Sequence, residues 1–291
     1  MIKDYLKLIR VPQWIKNFFV FVSLLFSLHL FDKEYFFLSL KAFVVFSLAS
    51  SFVYIVNDII DIEADKAHPK KKNRPLPSGR IKKSSALILA VILLLVVLLS
   101  YFFFNPQFIS FLYAFLLLNI LYSFYLKHIV ILDIFSIAAG FSIRVLAGAA
   151  VIEVPVSSWL ILTTMFISLF LGVMKRHSEL VQVADSNKVT RKVLAEYSTN
   201  FTNQMATVAA SGVIICYALY TVSQRTVSVF NTENLIYTTP FVVFGIFRYM
   251  YLEYQNNQGE NTTQVMMTDI PMILTVISYA IVTVLIIYKI I

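Results

Sequence analysis

The sequence predicts an all-α, polytopic membrane protein of about nine transmembrane helices in a single bundle. Three observations carry this reading. Hydrophobic residues make up 59% of the chain and charged residues 14%, with a mean hydropathy of +0.78, outside the range of soluble globular domains. Apolar runs of spanning length recur from one end to the other. These runs are too long and too continuous to be the strands of a barrel.

Taken in order, the expected spans are residues 16–30, 36–56, 84–104, 108–126, 130–151, 157–174, 205–222, 236–252 and 271–288. Ahead of the first, Tyr5, Leu6, Leu8, Ile9 and Val11 give an amphipathic segment suited to the membrane interface. No small-residue cleavage site follows the first apolar run, so no cleavable signal peptide is expected. Trp14 reads as an interfacial anchor. The loop after the second span is broken by Pro69, Pro75, Pro77 and Gly79 and cannot be one helix. On the fifth span, Gly140 and Gly148 read as close-packing points. After the sixth span, Arg191 to Tyr197 has helix-compatible composition. Asp269 before Ile270-Pro271 reads as a helix N-cap. Residues 1–291 form one domain, with a hint of a four-helix pseudo-repeat, because the two longest loops follow the second and sixth spans.

Charge sets orientation. The net charge of +8 is concentrated on one side: near the N-terminus, in the loop from Lys66 to Lys83, at Lys127, and from Lys175 to Lys192. The other side carries only Lys33, Lys41, Arg225 and Lys289. The positive-inside rule makes the basic side cytoplasmic, in an inner (plasma) membrane. The aromatic residues lie in the spans and are not interleaved with the basic ones, so nucleic acid is not the expected partner. Anionic head groups or a phosphorylated substrate fit better. The single cysteine, Cys216, excludes an internal disulfide, and the four scattered histidines do not suggest zinc. A homo-oligomer is left open.

The most informative stretch is Asn57-Asp58-Ile59-Ile60-Asp61-Ile62-Glu63-Ala64-Asp65, where the second span runs out. Asp58, Asp61 and Asp65 are spaced i, i+3, i+7, so a continuing helix puts all three on one face. Carboxylates crowded at a membrane boundary favour a cation. The adjacent loop, His68-Pro69-Lys70-Lys71-Lys72-Asn73-Arg74-Pro75, favours an anion. Together they read as a magnesium–diphosphate site, the plainer alternative being a solvated helix end neutralised by its lysines. Glu63 points away and receives no role.

Further groups lie on the same side. Asp133 and Arg144 are eleven residues, about three turns, apart on one helix face. They read either as ligand-binding groups or as an internal ion pair, since a charge inside an apolar span needs one or the other. Lys127 binds substrate or snorkels to the interface. Lys175 and Arg176 are followed one turn later by Glu179, so a local salt bridge competes with a binding role. Lys16 at the first span either snorkels or binds phosphate, and Arg248 is equally ambiguous.

At these residues the sequence resembles the UbiA superfamily of intramembrane prenyltransferases. The resemblance rests on Asn57-Asp58-x-x-Asp61-x-x-x-Asp65 and the loop His68-Pro69-x-Lys71-x-x-Arg74-Pro75 closed by Ser78-Gly79, and it spans essentially the whole chain. Members that use prenyl diphosphates carry a second aspartate-rich motif after the sixth span. Here that loop reads Lys175-Arg176-His177-Ser178-Glu179-Leu180. The chain instead resembles the branch typified by decaprenyl-phosphate phosphoribosyltransferase, through Gln13-Trp14-Ile15-Lys16-Asn17, Tyr122-Ser123-x-x-Leu126-Lys127, Leu132-Asp133, Gly140-Phe141-Ser142-Ile143-Arg144 and Lys175-Arg176-x-x-Glu179.

The branch resemblance implies Mg2+-dependent transfer of 5-phosphoribose from phosphoribosyl pyrophosphate to a polyprenyl phosphate, with release of pyrophosphate. It implies Asn57, Asp58, Asp61 and Asp65 as metal ligands, and Asp58, Asp61 and Lys127 as catalytic groups. By their position, Lys16, Asn17, Lys71, Arg74, Tyr122, Asp133, Arg144, Lys175, Arg176 and Glu179 are expected to bind the substrates. The rival readings are a prenyl transfer to an aromatic or lipid acceptor and, from a different class, a membrane transporter.

Overall fold

A computed structural model of the chain describes residues 2–67, 71–186, 192–256 and 268–289. Among these, no strand occurs. The helices are α1 (Ile2–Leu8), α2 (Val22–Leu25), α3 (Lys33–Ile60), α4 (Ile62–Ala67), α5 (Lys83–Leu99), α6 (Pro106–Phe124), α7 (Leu132–Val151), α8 (Ser158–Ser186), α9 (Thr199–Val222), α10 (Gln224–Phe230), α11 (Thr239–Asn256) and α12 (Ile270–Ile287). Eight stretches among the described residues are long and apolar enough to cross a membrane. A ninth appears if α1 and residues 11–25, bent by 46°, count as one broken span. The all-α membrane architecture expected from the sequence is therefore present.

Local chemistry sets the helix starts. Asp32, Asn105, Ser198 and Asp269 each accept a first-turn backbone N–H, from Glu34, Phe108, Phe201 and Met272 respectively. Pro106 and Pro271 follow two of these caps, where a missing N–H costs nothing. Within the spans, hydroxyls are satisfied by their own helix: Thr163, Thr164 and Ser168 donate to the carbonyls of Trp159, Leu160 and Thr164.

Two regions differ from the sequence expectation. The first span is not one α-helix: Val11–Phe21 winds as a 3-10 helix and passes into α2 only at Val22. Runs of 3-10 helix this long are uncommon, and tertiary contacts hold this one. Asn17 and Ser23 bond outward to Ser47 and to the Val145 carbonyl. Gly148 lies so close to Val20 that an added Cβ would meet the Val20 carbonyl oxygen at 2.0 Å. The close-packing role expected of Gly148 is thus explicit. The N-terminal segment also packs on a core, with Leu8 fully buried and Tyr5 and Ile9 against it, while Ile2 and Leu6 stay exposed.

The second departure is α8, which continues beyond residue 174 to Ser186. The charged residues at the expected boundary do not end the helix, because Arg176 finds carboxylate partners inside the protein. The segment expected to be helical near Arg191 is a short 3-10 turn, Lys192–Glu196. His68, Pro69, Lys70, Lys188 and Arg191 lie outside the described residues.

Within the single domain read from the sequence, contacts group residues into two compact units. The first comprises residues 1–125 and 143–155, around a core in which the Phe46 ring meets those of Phe108 and Phe115 at 5.8 and 5.3 Å. The second comprises residues 126–142 and 156–291, with Ile134, Phe170, Met174, Val213 and Tyr249 at its centre. In it α8 and α9 pack closely at Gly212, which lies against the Phe166 ring.

Candidate active site

In the first unit the acid motif is built at the end of α3. Asp58 is buried on the last turn, and the helix stops at Ile60. Asp61 is the C-cap, its N–H bonded to the Asn57 carbonyl at 2.9 Å, and α4 then carries Asp65, also buried. The three acids therefore do not ride one uninterrupted helix face. Two of them meet all the same, because Arg74 Nη1 lies 3.2 Å from Asp58 Oδ1 and 2.6 Å from Asp65 Oδ2.

The loop that delivers Arg74 is held by its own turns. A 3-10 turn begins at Lys71, and the Arg74 N–H returns to the Lys71 carbonyl. Pro75 and Leu76 are buried, the Ser78 hydroxyl donates to the Arg74 carbonyl at 2.6 Å, and Gly79 takes φ +75. Only glycine adopts that left-handed conformation without strain. Glu63 pairs with Lys66 at the surface, in keeping with its lack of a role.

Asp58 has a second cationic partner that the sequence did not single out. Arg10, in the left-handed turn between α1 and the 3-10 stretch (φ 54, ψ 48), donates to Asp58 and lies 4.8 Å over the Tyr54 ring. The turn is fastened at its sides: the Ser51 hydroxyl donates to the Ile9 carbonyl, and the Trp14 indole donates to Ser51. Trp14 thus bonds a neighbouring helix rather than serving only as an interfacial anchor. The only sequence signal for Arg10 was a basic residue just before Val11-Pro12.

Asn57 is the residue that best fits a metal. Its side-chain oxygen Oδ1 is buried with no hydrogen-bond partner, and a dry, unsatisfied carbonyl calls for a cation or a donor. It adjoins Asp58 in the chain and lies one turn before Asp61. Among the described residues no three carboxylate, imidazole or thiolate groups stand together as a ready ligand set. Magnesium does not require one, since it binds through one or two carboxylates, waters and substrate phosphates.

Also in the first unit, Asn17 is fully buried and works as a bracket. Its Oδ1 accepts from Arg144 Nε at 2.7 Å and from Ser50, while its Nδ2 donates to Ser47 at 3.1 Å. Arg144, buried in α7, also lies 4.5 Å over the Phe115 ring. Lys16 next to Asn17 is half-buried, as is Tyr122 near the end of α6.

The second unit has its own charged centre. Arg176, 1% exposed, sends Nε to Asp133 Oδ2 and Nη1 to Glu179 Oε2, both at 2.6 Å. The local salt bridge expected for Glu179 is present. Asp133 is fully buried, and its other oxygen accepts from the Tyr197 hydroxyl at 2.7 Å. Burial, reinforced by the Asp133 carboxylate, keeps the Tyr197 phenol well above its usual range, so it remains a donor. The ion pair considered for Asp133 thus reaches another helix, forty-three residues on. Lys175 is half-buried beside it, and Lys127 is half-buried in a 3-10 turn, Leu126–His128. Asp269 caps α12 as expected and also takes both Arg248 Nε and Nη2, at 3.1 and 2.8 Å.

Comparison with known proteins gives a consistent result. The model of the UbiA prenyltransferase family matches residues 17–285. Decaprenyl-phosphate phosphoribosyltransferase of Mycolicibacterium smegmatis is 32% identical over 228 residues, covering 77% of this chain and 72% of that protein. The protein of the same name from Mycobacterium tuberculosis is 33% identical over 225 residues, covering 76% and 74%. Among solved structures, a UbiA homolog from Archaeoglobus fulgidus bound to GPP and Mg2+ superposes with a TM-score of 0.70 at 16% identity, covering 98% of this chain and 97% of that one. A digeranylgeranylglyceryl phosphate synthase structure gives 0.68 at 22% identity, covering 97% and 98%.

Proposed function

Because the chain belongs to the UbiA prenyltransferase family, we propose that it is a membrane-embedded transferase that moves 5-phosphoribose from phosphoribosyl pyrophosphate to a polyprenyl phosphate. Relatives that carry the name decaprenyl-phosphate phosphoribosyltransferase support the sugar donor and the lipid acceptor. The observation that carries the reading against ordinary prenyl transfer is the use made of Asp133 and Glu179. Glu179 stands in the stretch where prenyl-diphosphate users are expected to carry a second metal-binding motif, and it and Asp133 are both bonded to the buried Arg176. A single glutamate paired with an arginine one turn away does not make a second aspartate-rich motif.

The first unit then handles the pyrophosphate. Asp58 and Asp61, with Asn57 Oδ1 and Asp65 beside them, would hold Mg2+, which supplies charge neutralisation to a departing pyrophosphate. Arg74 and Lys71 bind phosphate oxygens, Arg74 by the forked contacts that guanidinium favours. Arg74 bridges Asp58 and Asp65 until an anionic substrate offers the guanidinium a new partner. Arg10 holds Asp58 in place meanwhile. Asn17 fixes the direction of Arg144 at Nε.

For the acceptor, Lys127 and Lys175 of the second unit are the proposed phosphate contacts, and within the first unit Lys16 and Tyr122 are separate candidates for substrate contact. Arg176 serves this set by holding Asp133 and Glu179. A phosphate monoester is already anionic at neutral pH, so no strong general base is needed. Positioning and electrostatic stabilisation supply the rate. The one-sided basic charge supports a site that faces the cytoplasm across an inner membrane.

Two parallel incubations of purified protein with Mg2+ test the proposal. One contains labelled phosphoribosyl pyrophosphate and a polyprenyl phosphate, the other a prenyl diphosphate and an aromatic acceptor. Label in the lipid phase supports pentose transfer. Prenylated acceptor with no labelled lipid overturns it in favour of ordinary prenyl transfer.

A further inference from the structure

Beside the acid motif the first unit carries a groove of about 620 Å3 that none of Asn57, Asp58, Asp61, Asp65 or Arg74 lines. Its floor is apolar, formed by Ile59 and Ile62 on either side of the Asp61 turn and by Leu76 and Ile81 of the loop. Its rim is basic. Lys66 is paired with Glu63 at 2.8 Å, the one acid on the rim. Lys82 and Lys83 pair with no carboxylate among the described residues.

The groove lies where one spanning helix ends, at Ile60, and another begins, at Lys83. Lys82 occupies the N-cap position of α5, and no side chain caps that helix. From Lys83 downward, Leu87, Val91 and Leu95 follow at four-residue intervals on one face of α5, and they are 56, 49 and 54% exposed. A cationic rim therefore passes directly into an apolar track along a membrane span.

We propose that this groove binds an anionic phospholipid, its phosphate at Lys82 and Lys83 and an acyl chain along Leu87, Val91 and Leu95. Charge complementarity selects an anionic head group, since the rim keeps two lysines beyond the Lys66–Glu63 pair. The apolar floor and the α5 face select a lipid over a free anion. The separation of the lining from the acid motif selects a bilayer lipid over the reacting polyprenyl phosphate. Because the floor residues flank Asp61, the bound lipid braces the turn that presents the motif.

Native mass spectrometry of the intact protein tests this, using phosphatidylglycerol and phosphatidylcholine of the same acyl composition. Phosphatidylglycerol should be retained on the order of thirtyfold more than phosphatidylcholine, the scale of two lysine contacts at a membrane surface. The Lys82→Gln/Lys83→Gln variant should lose that preference, and Lys82→Arg/Lys83→Arg should keep it. Equal retention of the two lipids by the unmodified protein, or a preference that survives in the glutamine variant, overturns the proposal. Displacement of phosphatidylglycerol by equimolar inorganic phosphate or by a polyprenyl phosphate also overturns it, the first in favour of a free-anion site and the second in favour of an acceptor path. The unmodified protein carries the first comparison and the arginine pair retains both charges, so misfolding of the glutamine variant does not remove the test.

Discussion

Arg74 reaches back nine residues to Asp65, and its Nη1 closes to 2.6 Å of the Asp65 carboxylate. The same nitrogen lies 3.2 Å from Asp58. One guanidinium thus spans two buried acids that would otherwise repel each other, one on the last turn of a membrane span and one on the short helix beyond it. In the proposed reaction a pyrophosphate arriving with its cation would offer new partners to both sides of this cluster at once.

Asp61→Asn should leave the protein folded and remove metal-dependent turnover. Loss of a catalytic metal's charge stabilisation is worth several kcal/mol, about a hundredfold or more in rate. Initial rates across a magnesium titration check this, with thermal unfolding as the control. Undiminished turnover would remove Asp61 from the metal site.

Lys175 and Arg176 are neighbours in sequence and should behave oppositely. Arg176→Met leaves Asp133 buried without its cation, a loss of about 3–5 kcal/mol, and should appear as a large fall in unfolding temperature. Lys175→Ala should leave stability nearly intact and raise the KM for polyprenyl phosphate by about tenfold, the cost of one charged hydrogen bond. Measuring KM for both substrates in both variants separates the two roles.

Gly148→Ala should destabilise the first unit. The added methyl would stand 2.0 Å from a backbone oxygen of Val20, which has no rotamer with which to move aside. Overpacking of this kind costs about 1–3 kcal/mol, to be read from the unfolding midpoint in detergent. Because Arg144 is on the same helix and bonds Asn17 near Val20, activity should fall as well.

The Arg248–Asp269 pair gives a pH dependence. Hydrogen bonding from Arg248 holds the Asp269 carboxyl below its ordinary range. A group depressed in the folded state adds stability that is complete above its unfolded pKa, about 3.9, and lost as pH falls through the folded value. Asp269→Asn keeps an acceptor at the N-cap but removes the charge. The variant should be less stable than the parent near neutrality, with the difference shrinking below pH 4. A constant difference across that window would show that the charge is not what stabilises the pair.

Much of this architecture was legible in the chain because lipid imposes a coarse rule: apolar runs long enough to span must be helices. The acid motif was equally legible, being local in sequence and out of place beside an apolar span. The 3-10 winding of Val11–Phe21 was not, because the contacts that impose it, from Ser47, Val145 and Gly148, come from 30 or more residues away. Arg10–Asp58 and Arg176–Asp133 were hidden for the same reason: their separations of 48 and 43 residues exceed any helical period. Sequence spacing identified the polar groups that needed partners, and only the fold determined which partners they found.

The turn at Arg10 also imposes an order on biogenesis. Residues at positions 4, 9 and 10 are synthesised before the partners they bond, Arg80, Ser51 and Asp58. That segment can therefore dock only after the helices and loop that carry those partners have been made.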